Sequence, residues 1–144
     1  MSPDGPIGVL CVESNQGMCE ALQRLLAPPR FVWLGAVGSL TEADDALQRL
    51  RPTLLLIAAT GNEGGAIEWA RGVKASRPDL RVALLTADGN PDLLAEALWA
   101  GLDGVLSKLD DPATIAPLLA RAAAGQPAVG PEVQRLLAAR GPAA

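Results

Sequence analysis

The chain contains no histidine and no tyrosine, one phenylalanine and two cysteines among its 144 residues. Without histidine it lacks the commonest general base and the commonest zinc ligand, and it cannot be a histidine phosphocarrier. Two cysteines alone cannot build a tetrahedral metal site. Cys11 lies in an apolar run typical of a small buried residue, and a Cys11–Cys19 disulfide is not favoured because nothing marks the chain as secreted.

Long apolar runs and clustered positive charges are also missing. The longest apolar run, Leu54 to Ala59, is far too short to cross a bilayer, and Met1 to Pro6 does not resemble a signal peptide. The net charge is −4, and the only lysines are Lys74 and Lys108. Because nucleic-acid phosphates are bound by clustered Lys and Arg, we expect a cytoplasmic protein whose present segment binds neither nucleic acid nor membrane.

What the chain does contain is a regular alternation of strand and helix patterns. Five short apolar segments predict strands, namely Ile7–Val12, Phe31–Val37, Thr53–Ala59, Arg81–Leu85 and Gly104–Ser107. Each is followed by apolar residues at helical spacing, bounded by proline, glycine or capping residues. This alternation predicts an α/β fold in three layers, with a doubly wound five-stranded parallel sheet between two layers of helices.

In open parallel sheets, functional side chains lie at the carboxyl ends of the strands. Here those positions hold Glu13 and Ser14 after the first strand, Ala58 in the third, Thr86 after the fourth and Lys108 after the fifth. Because the carboxyl ends of parallel strands meet at one edge, we expect these five residues to form one pocket.

At these strand ends the sequence resembles the receiver domain of response regulators, from about Ile7 to Leu137. The resemblance lies in Ile7–Asn15, in Leu84-Leu-Thr-Ala and in Ala100–Lys108, which is similar to the family's AGADGYLxK segment. It implies a flavodoxin-like or CheY-like sheet with strand order 2-1-3-4-5. Residues 126–144 resemble the linker to LuxR-type helix-turn-helix domains. We therefore predict a receiver-like domain at 1–125 and, at 126–144, a tail leading to an output domain absent from this sequence.

The departures from this family concern its chemistry. The phosphoacceptor aspartate at the end of strand three corresponds to Ala58, whose methyl group cannot attack a phosphoryl group. The acidic residues that hold Mg²⁺ are reduced to Glu13, followed by Ser14. The aromatic switch residue of strand five is replaced by Val105. The resemblance therefore implies a degenerate phosphorylation pocket, with no metal, no cofactor and no enzymatic activity, although Asp88 and Glu63 could lie near its rim.

Thr86 and Lys108 remain from the family's constellation and have two interpretations. They could hold an anion or keep a switch loop in one state, or they could be inherited residues with a structural role. The second interpretation is favoured. In its concrete form, Lys108 pairs with Glu13 and holds the site closed, as a partly buried ion pair can fix geometry even where it adds little stability.

The fourth helix carries a candidate interface. Trp99 is predicted at the edge of that helix, outside its inward stripe, and we group it with Leu93, Leu102 and Val105. An exposed tryptophan among apolar residues is a strong interface anchor. In the alternative, Trp99 packs against helix five. The resemblance implies that helix four, strand five and helix five form the output and dimerisation surface.

Two functions follow as hypotheses. In the first, the chain is an atypical receiver of a bacterial response regulator, acting in signal transduction and transcription regulation through phosphorylation-independent protein contacts or homodimerisation. In the second, it is a pseudo-receiver whose pocket, lined by Ser14, Ala58, Ala59 and Thr86, senses a small molecule. A small α/β enzyme is the third class, but the sequence offers no residues to carry its catalysis.

Overall fold

A computed structural model describes residues 5–58 and 63–140, and strands and helices alternate along them. The elements are β1 (Ile7–Val12), α1 (Gln16–Leu25), β2 (Phe31–Val37), α2 (Leu40–Leu50), β3 (Leu54–Ile57), α3 (Glu63–Ser76), β4 (Arg81–Thr86), α4 (Pro91–Trp99), β5 (Gly104–Ser107), α5 (Pro112–Ala123), β6 (Ala128–Val129) and α6 (Pro131–Ala139).

The strands form a parallel sheet of order β2-β1-β3-β4-β5-β6. The predicted order of the first five strands is confirmed, but the prediction of a five-stranded sheet is wrong because β6 adds a sixth strand. β6 has only two residues, too few to show an alternating or apolar pattern. It is held on β5 by the N–H of Ala128, which donates to the Asp103 carbonyl at 2.9 Å, and by that of Gly130, which donates to the Val105 carbonyl at 2.9 Å.

Side chains on the two faces of the sheet pack against separate layers of helices. In β1, Leu10 and Val12 belong to a cluster with buried residues of α2, α3, α4 and α6. Val9 and Cys11 belong to a second cluster with residues of α1 and α5. This alternation places successive residues on opposite faces, and burial of both faces explains why the strands are almost continuously apolar.

The segment after α5 packs on the domain. Ala128 of β6 and Val133 of α6 are buried, and Val133 contributes to the same cluster as Leu94 of α4 and Val105 of β5. α6 therefore lies beside α4 and covers the end of the sheet next to β5. Within residues 5–58 and 63–140, no helix is both long and apolar enough to span a membrane.

Candidate functional site

The sheet register brings the predicted site residues to one edge. Val12 of β1 is paired with Ile57 of β3, and Ile57 is paired with Leu84 of β4. Thr86 at the end of β4 is paired with Ser107 at the end of β5. The residues that follow these positions, among them Glu13, Ala58 and Lys108, therefore come together at the carboxyl edge of the sheet.

Glu13 is the charged centre of this edge, and both of its carboxylate oxygens are engaged. Its side chain is only 3% exposed, and Oε2 accepts a hydrogen bond from Lys108 Nζ at 3.3 Å. Oε1 accepts from the backbone N–H of Asn15 at 3.0 Å. The structure thus contains the predicted Glu13–Lys108 ion pair, which compensates the buried charge. Asn15 also caps α1, because its side chain accepts from the Met18 N–H at 2.8 Å; the sequence pattern did not predict this cap.

Ala58 follows directly on β3 and is 2% exposed. Its N–H donates to the Val12 carbonyl at 2.9 Å. This hydrogen bond holds Ala58 beside the end of β1, next to Glu13. A methyl group therefore occupies the carboxyl end of the central strand, next to the Glu13–Lys108 pair. This position offers no nucleophile and no oxygen ligand for a metal ion.

Thr86 is buried, and its hydroxyl and carbonyl oxygens accept hydrogen bonds from backbone N–H groups. Its hydroxyl accepts from the N–H of Asp88 at 2.9 Å, and its carbonyl accepts from the N–H of Lys108 at 2.8 Å. Asp88 is exposed and accepts from the N–H of Asn90 at the start of α4. Ser14 is exposed at the end of β1. Ala59 and the side chain of Glu63 lie outside the described residues.

The described side chains contain no group of three or more His, Cys, Asp or Glu residues that could hold a metal ion. Cys11 and Cys19 are free thiols near Glu13. Burial, reinforced by the neighbouring thiol and Glu13, raises the pKa of Cys11, and burial followed by Glu13 raises the pKa of Cys19. Cys19 Sγ donates to the Glu13 carbonyl at 3.2 Å, so it acts as a local hydrogen-bond donor.

The candidate interface divides into exposed and buried residues. Trp99 is 88% exposed, which rules out the alternative in which it packs against α5. Leu93 is half-buried against the cluster beneath α4. Leu102 and Val105 are buried in that cluster, so their assignment to an accessible surface is wrong. Leu102 and Val105 are buried because β6 and α6 pack at the end of the sheet beside β5.

A groove of about 680 Å³ lies beside the pocket, between α1 and the start of α5. Its wall includes Met18, Leu22, Leu25 and Ile115, and Lys108 reaches it from the pocket side. Leu109 at its edge is 77% exposed. The groove has no signal in the local sequence, because it is formed by side chains of helices that are distant in sequence.

No family model matches the chain, but regulatory proteins are similar to it in sequence. The DNA-binding transcriptional activator DevR/DosR of Mycobacterium tuberculosis is 28% identical over 103 residues, which are 71% of this chain and 48% of that protein. The chain therefore spans about half the length of this relative.

Solved structures share the fold. A LuxR-family two-component response regulator from Aurantimonas sp. SI85-9A1 superposes with a TM-score of 0.85 at 20% identity, over 94% of this chain and 98% of the other. A structure of two RcsB dimers bound to two parallel DNAs has a TM-score of 0.81 at 19% identity, over 93% of this chain and 69% of the other. In sequence this chain is similar to a response regulator of transcription, and in fold it is similar to the CheY-like receiver domain of response regulators.

Proposed function

We propose that this chain is an atypical receiver domain that signals through protein–protein contacts without being phosphorylated. The observation that carries the proposal is Ala58, which lies at the carboxyl end of the central strand, beside a glutamate whose two oxygens are already engaged. Phosphoryl transfer to a receiver needs an attacking carboxylate and oxygen ligands for Mg²⁺. Here the attacking group is missing, and the remaining carboxylate is neutralised by Lys108.

In this proposal the domain belongs to a cytoplasmic regulator of transcription and works as a homodimer. Support comes from DevR/DosR, which is named a DNA-binding transcriptional activator and is about twice as long as the matched region, and from the dimers in the RcsB–DNA structure. Residues 126–144, through β6 and α6, then lead toward an output domain that contacts DNA. The net charge of −4 fits a segment whose partners are proteins.

Phosphorylation itself can be tested directly. We expect no covalent phosphoryl adduct when the purified chain is incubated with acetyl phosphate and Mg²⁺, because residue 58 has no nucleophile. Intact-mass spectrometry measures the adduct, and light scattering of the same samples measures the molar mass, which should not change. A receiver domain that keeps its aspartate serves as the positive control. A stoichiometric adduct on this chain would contradict the proposal, and Asp88→Asn would then locate it.

The groove beside Lys108 favours ligand sensing as a second candidate function. Its wall is apolar, and its charged lining holds the cations Lys108 and Arg24 together with Asp110 and Asp111. Because both aspartates already accept from backbone N–H groups, a small amphipathic anion could pair with the cations and would stabilise whichever conformation binds it better. We expect decanoate to raise the melting temperature of the chain. Ala21→Trp, which fills the groove from an exposed position, should abolish this shift, whereas Ala21→Ser should keep it. No shift in the parent chain, or an equal shift in both variants, would exclude the groove as the binding site.

A further inference from the structure

The N-terminus of α6 has no capping side chain of its own. Helices α1, α2, α4 and α5 are each capped by the residue before them, namely Asn15, Ser39, Asn90 and Asp111. α6 is preceded by Gly130, which has no side chain to accept a hydrogen bond. The first N–H groups of a helix need acceptors from outside the helix. Here Asp110, 22 residues earlier, supplies one: its Oδ1 accepts from the Glu132 N–H at 2.8 Å.

The glycine at position 130 makes room for this carboxylate. A Cβ atom at Gly130 would lie 2.1 Å from Asp110 Oδ2 and 3.3 Å from the Cα of Leu106. The φ angle of Gly130 is −65°, which any residue can adopt, so backbone conformation does not require glycine here. Instead, a side chain at residue 130 would occupy the space that the Asp110 carboxylate fills. The lack of a side chain at Gly130 therefore allows Asp110 to cap α6.

Asp110 is held in place by the turn that contains it. Its second oxygen, Oδ2, accepts from the Ser107 N–H at 2.9 Å, and the residue is 6% exposed. Ser107 adds two hydrogen bonds within the turn. Its Oγ accepts from the Leu109 N–H at 3.0 Å, and its carbonyl accepts from the Asp110 N–H at 3.0 Å. Residues 107–110 therefore form one cross-linked turn.

The same turn also reaches the candidate site. Lys108 extends from it to Glu13 Oε2 at 3.3 Å, while Asp110, two residues on, contacts the first turn of α6. A displacement of this turn would therefore change both contacts together. In α6 only Val133 is fully buried, while Leu136 and Leu137 are partly buried against the same cluster, so the polar contact at its first turn adds to a limited apolar contact.

We propose that the 107–110 turn couples the Glu13–Lys108 pair to the docking of α6. A partner or ligand that draws Lys108 away from Glu13 shifts the turn and removes Asp110 from the α6 N-terminus. α6 then loosens and uncovers the β5 end of the sheet. This inference goes beyond the proposed function, because it assigns a conformational device that operates whether or not the domain is phosphorylated or dimeric.

Hydrogen exchange of the α6 backbone amides at residues 134–139 measures the docking. We expect Asp110→Ala to lower their protection about tenfold relative to the amides of α2, since a helix cap is lost. Asp110→Asn should have a similar effect, because its amide NH₂ must face one of two N–H donors. Asp111→Ala is the matched control, because that carboxylate caps α5, and it should leave the protection of α6 unchanged.

The coupling itself is tested with Lys108→Ala. In the parent background this change should lower α6 protection severalfold although the Lys108 side chain pairs with Glu13 and not with a residue of α6. In the double variant Asp110→Ala with Gly130→Ser, the new serine caps α6 locally, so protection should return and should no longer respond to Lys108→Ala. The proposal is overturned if Lys108→Ala leaves α6 unchanged in the parent background, or if it has the same effect in both backgrounds. The double variant also keeps the test decisive if Asp110→Ala alone fails to fold.

Discussion

The substitution Ala58→Asp should lower the free energy of unfolding by about 1–3 kcal/mol in buffers without divalent cations. Residue 58 is 2% exposed and lies beside the end of β1, so the new carboxylate would meet the buried charge of Glu13 and compete for Lys108. Addition of Mg²⁺ should recover much of this loss, since two adjacent carboxylates provide the oxygen ligands that the ion prefers. Urea denaturation with and without MgCl₂ measures both effects.

Ala58→Asn separates charge from size in this experiment. Asparagine has nearly the same shape as aspartate but carries no charge, so its stability should fall less and should not respond to Mg²⁺. The parent chain should also be insensitive to Mg²⁺, because both oxygens of Glu13 are engaged. An Ala58→Asp variant as stable as the parent and indifferent to Mg²⁺ would show that residue 58 does not face Glu13.

If the chain forms the proposed homodimer through α4, the substitution Trp99→Ser should weaken its self-association at least about 30-fold, which corresponds to about 2 kcal/mol for a central aromatic anchor. Trp99 is 88% exposed, so its removal should leave the free energy of unfolding nearly unchanged. Asp92 and Glu96 are also exposed on α4, so the proposed contact surface combines one large apolar group with negative charge. Sedimentation equilibrium across a concentration series measures the dissociation constant.

Leu109→Ser is the matched control for this prediction. Leu109 is 77% exposed but lies beside the groove between α1 and α5, away from α4. Its removal deletes a comparable apolar side chain without touching the Trp99 surface. If Leu109→Ser dissociates the dimer and Trp99→Ser does not, the α4 surface is the wrong interface.

Local pattern was sufficient to predict the first five strands and which residues lie at their carboxyl ends. Ile7–Val12, Phe31–Val37 and Gly104–Ser107 have the bounds expected from their apolar runs, because a strand buried on both faces must be apolar throughout. Parallel order then brought Glu13, Ala58, Thr86 and Lys108 to one edge.

Contacts between distant segments could not be predicted in the same way. β6 is a strand only because β5 offers it an unpaired edge, and two residues carry no periodicity of their own. Leu102 and Val105 were expected at an accessible surface, but in the structure they are buried in the cluster to which α6 contributes. The pairing of Gly130 with Asp110 leaves no local signal, since a glycine before a proline fits many turns.

By itself, the sequence determined that the central strand ends in a methyl group, that the sheet is parallel and that no histidine chemistry is available, because each of these follows from residue type or short-range period. Only the tertiary structure decided that the second oxygen of Glu13 accepts from the Asn15 N–H, that the Trp99 side chain is exposed to solvent and that Asp110 caps a helix 22 residues away. These depend on which surfaces meet when layers pack, and packing is set by the whole chain at once.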